Sequence, residues 1–116
     1  MALALDPLLQ TYFDVFCARR PLDDMRAVLH ANVQVRGPFL AVDDVDAYVA
    51  ALAADTPRPP LHVDVRQVTV QAATTTVHYV LQGEGRADLD VVQRFEVHDG
   101  RITHMTLQFD TTQVPA

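Results

Sequence analysis

A glutamine stands in an otherwise apolar row. In DLDVVQRFEV, residues 88–97, Leu89, Val91, Phe95 and Val97 share one side by two-residue alternation. Asp90, Arg94 and Glu96 take mostly the other, and Gln93 falls among the apolar residues. A buried amide without partners costs about 1–3 kcal/mol, so Gln93 needs a reason to be there. An amide donates two hydrogen bonds and accepts others without ionising, which suits holding a ligand carbonyl or stabilising an oxyanion. The competing reading is a glutamine satisfied by neighbouring backbone or by Tyr12 at the edge of the core. Tyr12 has the same double character: its ring belongs with apolar residues, and its hydroxyl, once buried, needs a partner. Phe16, Phe39, Tyr48 and Phe95 are the further aromatic candidates for contact with a ligand.

Proton transfer near neutral pH usually calls on histidine. Of the five, His98 belongs to a turn, and none of them shows the spacing of a metal site. His78, between Val77 and Tyr79, and His104, between Thr103 and Met105, are the candidate general bases if a bulge turns either toward the core; otherwise they are surface or paired histidines. Asp64 and Arg66 alternate with valines on a strand and are expected in solvent, as is Arg36. No phosphate-binding glycine loop, nucleophile elbow or Cys–His arrangement occurs. The expectation is therefore a site with no metal and no organic cofactor.

The totals bound the rest. A chain of 116 residues, 49% hydrophobic, is enough for one domain, residues 1–116, with a core that needs no staple. Its net charge of −6 argues against nucleic acid, which calls for a clustered basic surface. The single cysteine, Cys17, cannot form an internal disulfide and reads as a buried thiol, consistent with a reducing cytoplasm. The start MALALDPLLQ carries no basic region, and no apolar run approaches the ~18–20 residues of a membrane span. A cytoplasmic protein with no membrane partner is expected.

The elements that must position these side chains change character near residue 60. Asp6 and Pro7 predict a helix start, followed by Leu8, Leu9, Tyr12, Phe13 and Phe16 at three- and four-residue steps. Pro21 opens a second, short helix, PLDDMRAVLH, with an acidic first turn. NVQVRGPF reads as a strand ended by Gly37–Pro38, and VDDVDAYVAALAAD as a third helix stopped by TPRPP. Beyond it the period becomes two. LHVDVRQVTVQ changes parity between Val65 and Val68, the mark of a bulge near Gln67. TTTVHYVLQ follows, then the glutamine strand, the hairpin signal Asp99–Gly100 and RITHMTLQFD, in which Ile102 is out of phase with Met105, Leu107 and Phe109. Three helices followed by long strands make an α+β domain, with helices on one face of a strongly bent antiparallel sheet.

This order of elements resembles the NTF2-like superfamily, in its SnoaL-like and ketosteroid-isomerase-like branch. The resemblance rests on LLQTYFDVF, with its inward tyrosine; on LDDMRAVLHANVQVRGPF, the helix-to-strand passage ending in proline; and on VVQRFEVHDGRITHMTLQFD, the final hairpin. It implies a cone-shaped (cystatin-like) fold with a mostly apolar pocket between helices and concave sheet face, within a homodimer. Isomerase members of such a family use a tyrosine and a protonated aspartic acid as oxyanion hole and a second aspartate as base, a case well described for that enzyme. By resemblance the tyrosine falls on Tyr12, the oxyanion acid on Gln93 and the base on Gly37, which cannot abstract a proton.

Two functions follow as expectations. One is a small-molecule pocket protein acting as a cofactor-independent isomerase, dehydratase or cyclase on an apolar, oxygen-bearing carbonyl compound, with Tyr12 and Gln93 polarising the oxygen and His78, His104 or water moving the proton. The other is a non-catalytic module that binds a ligand, or pairs with a second copy, through the same surfaces.

Overall fold

A computed structural model of the chain describes residues 5–38, 40–54, 61–83 and 87–109. Helix α1 spans Pro7–Phe16, and Asp6 caps it by accepting from the Leu8 amide at 2.9 Å, a donor the helix itself leaves unpaired. The expected second helix is shorter than its sequence suggests. A 3₁₀ turn at Leu22–Asp24 leads into α2, Met25–Val28, and Leu29 is already in strand β1, Leu29–Arg36. Pairing of Leu29 with Ile102 on the last strand outweighs continuation of the helix. A two-residue strand β2, Ala41–Val42, precedes α3, Val45–Ala53, which Asp44 caps by accepting from the Ala47 amide at 2.7 Å.

The remaining strands are β3 (Leu61–Gln71), β4 (Thr74–Gly83), β5 (Leu89–His98) and β6 (Arg101–Gln108). They form one sheet in the order β2-β1-β6-β5-β4-β3. Its consecutive long strands β3 to β6 pair antiparallel, as expected, but β1 lies parallel to β6, so the sheet is mixed rather than antiparallel. A parallel neighbour needs a long crossover, and the connection leaving β1 carries α3.

Two bulges set which side chains face the helices. In β3 the register slips between Val65, opposite Tyr79, and Gln67, opposite His78, leaving Arg66 as the extra residue where the parity change predicted one. In the last hairpin Val97 faces Ile102 while Glu96 faces His104. Thr103 is the extra residue, and its hydroxyl donates to the Glu96 carbonyl at 3.3 Å. The bulge explains why Ile102 is out of phase in sequence yet buried together with Met105. Both central residues of the Asp99–Gly100 turn have positive φ, 53° and 76°, the twist that a two-residue hairpin needs. The core lies between α1 and α3 and the inner sheet face, built from Tyr12, Phe13, Met25, Val33, Val35, Tyr48, Val77, Tyr79, Val91, Phe95, Ile102 and Met105.

Candidate functional site

Among the described residues Gln93 is the one buried polar residue apart from the tyrosines, and it is completely buried. On β5 it lies opposite Val77 of β4 and Leu107 of β6, so its side chain points from mid-sheet toward the helices. There it joins three tyrosines. The Tyr79 hydroxyl donates to Gln93 Oε1 at 2.7 Å. Gln93 Nε2 donates to the Tyr12 hydroxyl oxygen at 3.1 Å and makes a longer contact, 3.5 Å, with the Met105 sulfur. The Tyr12 and Tyr48 hydroxyls lie 2.6 Å apart. The result is a chain of four side chains, Tyr79–Gln93–Tyr12–Tyr48, bringing together β4, β5, α1 and α3.

Each link has a local cause. Tyr12 and Phe16, one helical turn apart, put their rings on the same face of α1 and stack at 6.1 Å between centroids. Tyr12 also meets Phe95 edge-on at 5.3 Å, and Phe13 meets Tyr79 at 5.1 Å. Edge-to-face contacts of this kind hold the rings, and hence the hydroxyls, in place. Among the described residues no buried side-chain nitrogen or oxygen lacks a hydrogen-bond partner. Burial pushes the Tyr79 phenol well above the usual tyrosine range, and the neighbouring Tyr12 and Cys17 add to the effect. Tyr79 is therefore a neutral donor across the physiological range.

Chemically, the cluster is a set of neutral donors and acceptors with no carboxylate and no imidazole in it. The four side chains are packed shut, none more than 1% exposed, and satisfy one another. A ligand oxygen reaching Gln93 has to replace one of these partners.

The structure brings Tyr12, Phe16, Tyr48, Phe95 and Gln93 into one neighbourhood and leaves the histidines out. His78 projects from the opposite sheet face, with Nε2 3.1 Å from Asp90. His104 does likewise, with Nδ1 3.4 Å from Glu96 and 3.1 Å from the Thr103 hydroxyl. The expectation that a bulge could turn either one inward is corrected here. The bulged residue is Thr103, which rotates Ile102 into the core and leaves His104 outside, and β4 pairs with β5 without a slip. Phe39 lies outside the described residues.

Gly37 adds a further fact. Its φ is not in the left-handed region, and a Cβ built on it would lie 3.5 Å from Leu107 Cβ, an ordinary contact. Neither strain nor crowding demands glycine there. Arg36 beside it donates to the Val42 carbonyl and pairs with Asp43 at 2.6 Å, tying β1 to the β2 turn in solvent. Asp64 and Arg66 pair with each other at 2.9 Å on the surface. Among the described residues no group of three His, Cys, Asp or Glu side chains is arranged to hold a metal ion.

Sequence reasoning singled out four of the side chains around this centre but missed Tyr79 and Met105 as partners of the amide. A signal for Tyr79 was present: it is the one hydroxyl in the inner row Val77–Tyr79–Leu81, as anomalous as Gln93 in its own row.

Comparison with known proteins is consistent with this geometry. The family model of the SnoaL-like domain matches residues 9–105. The chain belongs to the SnoaL-like family. No curated protein matches the sequence. Among solved structures, the SnoaL-like chain is similar to an NTF2-like protein of unknown function from Cytophaga hutchinsonii (TM-score 0.76, 13% identity, covering 97% of this chain and 96% of that one). It is also similar to an LEH-like epoxide hydrolase of M. tuberculosis (TM-score 0.76, 18% identity, 91% and 82% covered). A Sinorhizobium meliloti protein assigned to the polyketide cyclases gives a TM-score of 0.77 at 18% identity, with 90% and 95% covered. At such identities these likenesses establish the NTF2-like fold. No helix among the described residues is long and apolar enough to cross a membrane.

Proposed function

We propose that this SnoaL-like protein binds a small, mostly apolar molecule through one carbonyl or hydroxyl oxygen, received by Gln93 together with Tyr12 and Tyr48. The observation that carries the reading is the hydrogen-bonded chain Tyr79–Gln93–Tyr12–Tyr48 at the centre of an aromatic core. A core that needed only to fold would be served by an apolar side chain at position 93, whereas a neutral amide flanked by phenols matches an uncharged oxygen. Phe16 and Phe95, packed around Tyr12, supply the apolar contact for the rest of such a ligand.

Binding is tested by titrating the protein with hydrophobic ketones and phenols while following tyrosine emission, since the chain has three tyrosines and no tryptophan. Saturable quenching, abolished in Gln93→Leu and retained in His78→Ala, is expected. Absence of any saturable change with the wild-type protein, together with no ligand retained through purification in native mass spectrometry, overturns the proposal.

The second reading, turnover of the bound carbonyl compound by isomerisation, dehydration or cyclisation, is favoured by the three hydroxyl and amide donors, which could stabilise an oxyanion. A protein assigned to the polyketide cyclases and an LEH-like epoxide hydrolase share the fold. His78 and His104 do not serve it from the outer face, and Gly37 offers no base, so the proton would move through water. Gly37→Asp tests this reading, because the backbone there accepts a side chain without strain. Proton exchange α to a bound ketone that rises at least about tenfold in the variant supports an oxyanion site, a gain within the usual reach of a positioned base. No exchange in either protein restricts the site to binding. We propose a homodimer as well, on the ground of the family resemblance.

A further inference from the structure

The start of α1 and the turn between β3 and β4 border an open groove of about 370 Å³, a size common among small-ligand sites. Leu9 of α1, Val68 and Val70 of β3, Ala72 of the turn and Val97 of β5 give it apolar walls. Val70 is 69% exposed, the most exposed of the large apolar side chains described. Apolar surface gathered in a concavity marks a binding groove rather than ordinary surface. The walls are fixed without a ligand. The Val97 amide donates to the Ala73 carbonyl at 2.9 Å, tying the turn to β5, and the Gln10 amide donates to the Asp6 carbonyl at 2.8 Å, closing the first turn of α1.

The groove is separate from the buried amide. Along the inner row of β5, Phe95 lies between Gln93 and Val97, and its ring meets Tyr12 and Phe13 edge-on at 5.3 and 5.8 Å. These rings stand between the groove and the Gln93 cluster.

One end of the groove is charged. Asp6 is the only charged residue on its wall, with Oδ1 accepting from the Leu8 amide. Among the described residues no arginine or histidine forms a salt bridge with it. The positive end of the helix offsets about half a unit charge, so the carboxylate leaves this end of the groove negative. Thr75, the other polar residue on the wall, adds a hydroxyl oxygen that can accept a hydrogen bond.

We propose that the groove is a second small-ligand site, for an amine whose hydrocarbon part lies on Leu9, Val68, Val70 and Val97 and whose ammonium group is received by Asp6. An ammonium group carries three N–H donors and no acceptor, the complement of carboxylate and hydroxyl oxygens. The chain's net charge of −6 also favours the approach of a cation over that of an anion. Occupancy involves neither Gln93 nor its tyrosines, so this site and the oxygen-binding one stand or fall separately.

The test is a titration of the full chain with hexylamine, hexanol and hexanoate, alike in hydrocarbon and different in charge, followed by amide chemical shifts in NMR. Hexylamine should move the Leu8, Val68, Val70 and Val97 amides, saturating by about 10 mM, as weak binding does. It should bind about two- to fivefold tighter than hexanol, the range of an exposed ion pair, and hexanoate should bind more weakly than either. Asp6→Asn keeps the helix cap, because asparagine caps as well as aspartate, and should bring hexylamine to the affinity of hexanol. Val70→Lys, at an exposed position, should weaken hexylamine at least about fivefold with an unchanged melting temperature, since it removes apolar wall and adds a like charge. Equal affinities for hexylamine and hexanoate, an Asp6→Asn protein that binds hexylamine as the wild type does, or no saturable shift at all overturns the proposal. So do shifts confined to Tyr12, Tyr79 and Gln93, which would place the amine in the aromatic core instead.

Discussion

Strand β5 presents two rows that differ in what a polar side chain means. On the inner row Leu89–Val91–Gln93–Phe95, a single amide has every hydrogen-bonding partner supplied by other elements: Tyr79 from β4, Tyr12 from α1 and Met105 from β6. On the outer row Asp90–Val92–Arg94–Glu96, polarity is the rule, and Asp90 and Glu96 pair with His78 and His104 in solvent. Residue type alone would favour the histidines as the chemical groups. Burial reverses that ranking, because water competes for outer-row hydrogen bonds and is excluded from those of the inner row. The lesson is that an uncharged amide inside carries more consequence than two titratable rings outside.

The contrast can be broken most directly by Gln93→Leu. The swap leaves the Tyr79 hydroxyl without its acceptor and takes a donor from Tyr12, and buried groups left unpaired in this way cost about 2–3 kcal/mol in total. Arg94→Leu, the neighbouring outer position, should stay within about 0.5 kcal/mol. Urea unfolding measures both, and equal effects would erase the distinction between the rows. Tyr79→Phe is the next largest, at about 1–2 kcal/mol, because it orphans Gln93 Oε1. Combined with Gln93→Leu it should cost clearly less than the sum of the two, since each change removes the other's unpaired partner. Strict additivity in the cycle would mean that the 2.7 Å contact carries no coupling.

An alkaline titration sharpens the same comparison. The folded-state value of Tyr79 lies above the unfolded one near 10, so its neutral form is favoured by the fold. Its contribution is fully present below about pH 10 and is lost as pH rises through the higher folded value. Phenolate absorbance should show at least one of the three tyrosines ionising only together with unfolding. Ionisation of all three near 10 with the fold intact would contradict the closed cluster. The smallest effects belong to the outer row. His78→Ala and His104→Ala should each change stability by no more than about 1 kcal/mol, the range for exposed polar side-chain pairs, and should leave ligand titrations unchanged. A loss of binding in either variant would return the outer histidines to the site.

Much of the architecture could be read from residue order. Asp6–Pro7 marked the first helix start, TPRPP the stop of the third helix, the parity change before Val68 a bulge, and Asp99–Gly100 the hairpin. These are local signals, carried by caps, turns and alternation within a few residues. The short strand β2, the parallel pairing of β1 with β6 and the early end of the second helix were not legible, because each depends on a partner far away in sequence. The site divides in the same way. Gln93 and Tyr12 stood out by type against their surroundings, and so, in principle, did Tyr79.

What the sequence determined by itself is that a neutral amide and several phenols would sit on core-facing positions, since period and polarity decide which face a side chain takes. That Tyr79 meets Oε1, that Tyr12 meets Nε2, and that His78 and His104 remain outside were decided only by tertiary structure. Those outcomes hang on strand register and on a single extra residue at Thr103, and a shift of one residue in a strand sends every side chain beyond it to the other face.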